Sequence, residues 1–113
     1  ADVLSPKVLR SSMGCLFRLP IKVTQSTEEV LSVLKSAGIT TYASALSTKA
    51  KLLTGTKFGS RSCVLIGNEG NGLSEKVISL CDNTVMIPMP GKAESLNAAS
   101  AAAILIYSAV NQQ

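Results

Sequence analysis

Asn68 and Glu69 on one glycine-bearing loop, and Ser95 and Asn97 on a second, are the residues best placed by type and spacing to do chemistry. The loops read Leu65-Ile-Gly-Asn-Glu-Gly-Asn-Gly-Leu-Ser-Glu75 and Ile87-Pro-Met-Pro-Gly-Lys-Ala-Glu-Ser-Leu-Asn97, each following an apolar run and opening a helix. The glycines of the first loop permit positive φ and close approach of backbone to a ligand. A dinucleotide fingerprint is absent, because Glu75 takes the third glycine position after Gly70-x-Gly72, and no Lys-Ser/Thr pair completes a phosphate loop. The Glu69 carboxylate would repel a phosphate at this helix start, so the expected ligand is neutral or cationic there. The alternative is that Glu69 only accepts backbone N–H groups within its own turn. Ser95 suits a helix cap. Asn97, at the second helical position of an otherwise apolar helix, gains little unless its amide bonds a neighbouring loop or a ligand.

Positioning these loops requires strands that end beside one another. Ser62 to Ile66 and Thr84 to Pro88 read as strands feeding the two loops, and Ile39 to Leu46 as a third. Leu16 to Val23 reads as a further strand, irregular or near an edge because of Pro20. The helices expected between them are Pro6 to Ser12 after the Ser5 cap, one capped by Thr27 and stopped by Gly38, Ser74 to Leu80, and Leu96 to Val110. Ser47 to Ser60 reads as a polar, basic connection. Strands alternating with helices predict an α/β fold, a parallel sheet with helices on both faces, and small molecules bind at the carboxyl ends of such strands.

Composition narrows the function classes. The 113 residues bound one domain, 46% apolar and without tryptophan. The absence of histidine removes a Ser-His-Asp triad and a Cys-His nucleophile, and with no Cys-x-x-Cys no metal site is expected. Cys15, Cys63 and Cys81, odd in number among apolar neighbours, read as reduced core thiols and an intracellular setting, cytoplasmic or organellar. No signal peptide is visible, and the run from Ala98 to Val110, broken by Ser100 and Ser108, is short of the roughly 20 residues of a membrane span. The net charge is +4, and no acidic residue occurs between Glu29 and Glu69, where Lys35, Lys49, Lys51, Lys57 and Arg61 all fall. That segment is either a solvated face or a surface that follows phosphates.

Taken together, these residues resemble the SpoU (TrmH-type) RNA methyltransferases of the SPOUT class, across essentially the whole chain. Ser5-Pro to Leu19-Pro20 is similar to the segment between the family's first and second motifs, Gly67-Asn-Glu-Gly-Asn-Gly72 to its second, and Ile87-Pro-Met-Pro-Gly91 with Ser95-Leu-Asn97 to its third. The resemblance implies S-adenosylmethionine (AdoMet) as cofactor, a C-terminal trefoil knot, a homodimer, and methylation of a ribose 2′-hydroxyl in tRNA or rRNA. It maps cofactor contacts onto Ala45, Leu46, Gly67, Asn68, Gly72, Ile87, Ser95 and Leu96, and the active site onto Glu69, Ser95 and Asn97. The latter would orient the ribose and support a first-motif arginine.

That first motif lies upstream of the Ser-Pro segment, so residues 1–113 are expected to form a single methyltransferase domain lacking it. An unperturbed ribose hydroxyl is a poor nucleophile, and transfer by such a chain is expected to be reduced. Arg10, Arg18, Lys49 and Lys51 are the candidate RNA contacts. Two other readings stand beside this one: a non-catalytic family member that binds AdoMet, RNA or a partner subunit, and a nucleotide-phosphate-binding α/β module, which Glu69 disfavours.

Overall fold

A computed structural model describes residues 3–68, 70–89 and 97–111. Four helices, α1 (Pro6–Ser11), α2 (Thr27–Ser36), α3 (Glu75–Leu80) and α4 (Ala98–Asn111), accompany four strands, β1 (Thr40–Ser44), β2 (Lys51–Leu52), β3 (Ser62–Leu65) and β4 (Asn83–Met86). The strands form one parallel sheet in the order β2-β4-β1-β3, with Tyr42 in register with Val64 on one side and Asn83 on the other.

Period-two alternation along β1 sorts its side chains between two helical layers. Tyr42 joins Val85, Leu53, Phe58 and the α4 residue Leu105 in the core, with Val64, Ile66, Ile87 and Ala109 packed against it. The Tyr42 and Phe58 rings lie 4.5 Å apart at a tilt of 50°. Each large apolar side chain so buried contributes about 1.5–3 kcal/mol. The other face carries α2, packed on β1 and α3, and buries Leu31.

Local signals explain most of the boundaries. The Ser26 hydroxyl, rather than Thr27, caps α2 by accepting from the Glu29 N–H at 3.2 Å, and Glu28 and Glu29 complement the helix dipole. The helix ends in a Schellman turn at Gly38, with Ile39 N–H on the Leu34 carbonyl. Ser74 caps α3 by accepting from the Val77 N–H.

Three expectations need correction. Leu16 to Val23 forms no strand: a 3₁₀ turn occupies Cys15–Phe17, and Leu19, Ile21 and Val23 remain exposed. Apolar composition there signals a surface to be covered, and Pro20 withholds a ladder donor. Conversely, the Ser47 to Ser60 connection contains β2 and a 3₁₀ turn at Leu53–Gly55, and delivers Leu53 and Phe58 into the core. Cys15 is exposed rather than a core thiol, whereas burial pushes the Cys63 and Cys81 thiols up from their ordinary range.

A polar clasp ties β1 to the turn before β4, at the sheet end remote from the glycine loops. The Thr41 N–H and Oγ1 both donate to Asp82 Oδ2, at 2.9 and 3.1 Å, and the Asp82 N–H donates to Thr41 Oγ1 at 2.9 Å. The Thr41 backbone donor, then its hydroxyl, hold the Asp82 carboxyl below its ordinary pKa. The contribution to stability is therefore present above the unfolded pKa, about 3.9, and is lost as pH falls through the lower folded value. Asp82→Ala is expected to lower Tm at pH 7 by roughly 3–6 °C. Melting curves should show the gap to wild type closing below pH 4; a gap independent of pH would show that the carboxylate charge contributes nothing.

Candidate functional site

The C-terminal ends of β1, β3 and β4 converge on a cleft of about 530 Å³. Its walls come from Ser44 at the end of β1 with Ala45 and Leu46 after it, from Ile66, Gly67 and Asn68 after β3, and from Met86 at the end of β4 with Ile87 and Met89 after it. Ile78 of α3 and Ala98 and Ala101 of α4 complete the apolar lining. The Ala45 N–H donates to the Val85 carbonyl at 3.1 Å, which pins the β1 extension to β4.

The first loop is folded back on itself. Gly72 N–H donates to the Asn68 carbonyl at 3.0 Å, and Asn71 N–H donates to Asn68 Oδ1 at 2.7 Å. The Asn68 side-chain oxygen thus holds the loop, so its value to the cleft lies in fixing the backbone around it. Gly72 has φ 65°, which L side chains rarely adopt. Gly67 is required for a different reason: a Cβ there would lie 2.4 Å from the Gly72 carbonyl carbon. Two of the loop's glycines are therefore dictated by its geometry, whereas a Cβ at Gly70 would make only an ordinary contact, with Asn68 Oδ1 at 3.8 Å.

Asn97 occupies the position immediately before α4, and its Oδ1 accepts from the Ser100 N–H at 2.8 Å. It is the residue that caps the helix, not a residue in its second position. The capping role expected of Ser95 lies outside the described residues, as do Glu69 and Leu96 themselves. Six of the eight expected cofactor positions, Ala45, Leu46, Gly67, Asn68, Gly72 and Ile87, line the cleft.

The candidate RNA contacts stand apart from it. Arg10 is in the last turn of α1, Arg18 follows the first 3₁₀ turn, Lys51 is the first residue of β2 and Lys49 lies two residues before it; all four are exposed. Lys51 Nζ donates to Asn83 Oδ1 at 3.1 Å, at the far end of β4 from the cleft.

Sequence reasoning missed Glu75, Ile78, Met89 and Ala101 as lining residues. The helical period was the available signal for Ile78, since it is three residues past Glu75 on the same helix. Among the described lining residues Glu75 alone is ionisable, so the cleft offers glycine backbone, amides and apolar side chains and no cation. Such walls suit an aromatic base and a neutral or cationic ligand, and their described residues include no Lys or Arg to pair with a phosphate.

Among the described residues no helix is long and apolar enough to cross a membrane.

Residues 1–107 match the model of the SpoU rRNA Methylase family. A 23S rRNA (uridine(2479)-2'-O)-methyltransferase of Streptomyces viridochromogenes is 41% identical over 124 residues, covering 100% of this chain and 41% of its own length. The 23S rRNA (guanosine(2553)-2'-O)-methyltransferase RlmP of Bacillus subtilis is 36% identical over 107 residues, covering 95% of this chain and 42% of its own length. Among solved structures, the SpoU methyltransferase AviRb from Streptomyces viridochromogenes in complex with AdoMet superposes with a TM-score of 0.88 at 40% identity, over 99% of this chain and 46% of that one. The chain spans less than half the length of these relatives.

Proposed function

The chain belongs to the SpoU rRNA Methylase family, and on that premise we propose that residues 1–113 form one methyltransferase domain that binds AdoMet and methylates a ribose 2′-hydroxyl of tRNA or rRNA. Its α/β fold, with a parallel four-stranded sheet, matches the SPOUT knot fold of SpoU methyltransferases. The observation that carries the proposal is the cleft at the ends of β1, β3 and β4, walled by the first glycine loop and by Ile87 and Met89 of the second.

The cleft fits the proposed cofactor by chemistry as well as size. Its volume of about 530 Å³ lies inside the roughly 300–1,000 Å³ range of small-molecule sites. AdoMet carries no phosphate and bears a cationic sulfonium, in keeping with walls that hold no described cation. In this reading Ala45, Leu46, Gly67, Asn68, Gly72 and Ile87 hold the adenosine part, together with Ser95 and Leu96 from the second loop.

When bound, the cofactor supplies an electrophilic methyl group on sulfur. The protein's own task is to place the ribose oxygen in line with that methyl and to let its proton leave. Glu69, Ser95 and Asn97 are proposed to orient the ribose, as the family resemblance implies. Arg10, Arg18, Lys49 and Lys51 are proposed to touch RNA phosphates, which would position the RNA without reading its sequence. A homodimer is part of the proposal, supported by Ile106, Tyr107 and Val110, which leave one side of α4 apolar and exposed. So is an intracellular setting, supported by three free thiols.

S-Adenosylhomocysteine (AdoHcy), the demethylated product, tests the reading directly. Calorimetric titration of the 113-residue chain is expected to give saturable binding of about one ligand per chain. No heat at millimolar ligand would overturn the cofactor assignment. Methyl transfer to RNA is to be measured on the protein at its full length, where absence of a 2′-O-methylated product would overturn the activity.

A further inference from the structure

Glu75 is the one ionisable residue among the described lining residues, and the adenosine-binding account leaves its charge unused. It is the first residue of α3, directly after the Ser74 cap, and it is an exposed residue that lines the cleft. Among the described residues its carboxylate makes neither a hydrogen bond nor an ion pair. The neighbouring cation is engaged elsewhere, for Lys76 Nζ lies 3.2 Å from Glu28 Oε2 across the α2–α3 contact. A carboxylate in the first turn also complements the helix dipole, which accounts for its place on α3 but not for its place on the cleft wall.

The charge that such a carboxylate senses changes during the proposed reaction. As the ribose oxygen forms its bond to the methyl carbon, the sulfur–methyl bond breaks and its electron pair stays on sulfur, while the hydroxyl proton leaves for solvent. The sulfonium becomes a neutral thioether. Substrate and product forms of the cofactor then share the adenosine and amino-acid parts and differ by one methyl group and one positive charge. Apart from Glu75, the described lining residues are uncharged and have little means of telling them apart, because a single methyl contributes about 1 kcal/mol or less to binding. Both forms share the α-ammonium group, so a carboxylate on the cleft wall separates them through the extra positive charge that the methyl donor carries on sulfur.

We infer that Glu75 sets the preference of this cleft for the cationic methyl donor over its neutral product. The inference rests on the AdoMet reading and deepens it, making Glu75 a specificity-determining residue that favours exchange of spent cofactor for fresh. In an open, water-filled cleft the attraction is screened, and its expected size is about threefold to tenfold in affinity at low salt.

The experiment is calorimetry of wild type, Glu75→Gln and Glu75→Asp with AdoMet, AdoHcy and sinefungin, an analogue bearing an ammonium group in place of the methylsulfonium. Glu75→Gln is expected to weaken AdoMet and sinefungin about threefold to tenfold and to leave AdoHcy within about twofold, with the difference shrinking as salt rises from ~20 to ~300 mM. Glu75→Asp should retain part of the preference. An unchanged ratio of AdoMet to AdoHcy affinity in Glu75→Gln overturns the inference. So does equal weakening of all three ligands, which identifies a role in starting α3 and should be accompanied by a lower Tm. A wild-type chain that binds none of the three overturns the cofactor reading itself, and this inference with it.

Discussion

Gly67→Ala is expected to weaken AdoHcy binding by roughly 10- to 100-fold while Gly70→Ala, three residues along the same loop, leaves it within about twofold. The added Cβ at position 67 would meet Gly72 C at 2.4 Å, Leu73 N at 2.5 Å and Gly72 Cα at 2.6 Å. All three are backbone atoms, so no side chain can swing away, and the loop must open. Opening strains the Gly72 N–H to Asn68 carbonyl bond and the Asn71 N–H to Asn68 Oδ1 bond, which together hold the cleft wall. Overpacking of this kind costs about 1–3 kcal/mol. At position 70 the nearest atom to an added Cβ is Asn68 Oδ1 at 3.8 Å, an ordinary contact. Calorimetry on both variants, with melting curves to follow folding, checks the contrast. Normal affinity in Gly67→Ala would show that the loop does not form the ligand wall.

The same loop shows what the sequence can and cannot say about this fold. Gly67, Asn68 and Gly72 were legible because loop chemistry is local: glycine demand and a self-bonding amide are properties of five or six consecutive residues. The strand from Ser62 and the helix after Ser74 were legible for the same reason. Leu16 to Val23 was misread because an apolar run specifies that a surface wants cover, while strand formation needs a partner ladder elsewhere in the chain. The short β2 strand hid in a polar stretch because Lys51 and Leu52 lie at the sheet edge with exposed side chains. Leu53 and Phe58 were the apolar clues there, five residues apart and on neither regular period. Ile78, Ala101 and Glu75 reach the cleft through the packing of α3 against α2 and of α4 against β3, and no spacing within the loops encodes that.

Asn97 combines both kinds of information, and its substitution should separate them. Its Oδ1 satisfies the Ser100 N–H at 2.8 Å, and its carbonyl accepts the Ala101 N–H at 2.9 Å, so it starts the helix that carries Leu105 into the core. Removing the side chain in Asn97→Ala costs about 1 kcal/mol of capping, or roughly 4–8 °C in Tm. Serine caps as well as asparagine does, so Asn97→Ser should melt within about 2 °C of wild type. What serine lacks is the amide NH₂, whose donors take no partner among the described residues, next to Ala98 on the cleft wall. If that amide orients the ribose, both variants should lose methyl transfer to RNA in the full-length enzyme by about 100-fold, as misplacement of a reacting group does. AdoHcy affinity should change by less than about threefold in Asn97→Ser, since the loss falls on ribose placement and not on the adenosine pocket. A serine variant that restores both Tm and transfer would reduce Asn97 to a helix cap and move the ribose-orienting role to Glu69 and Ser95.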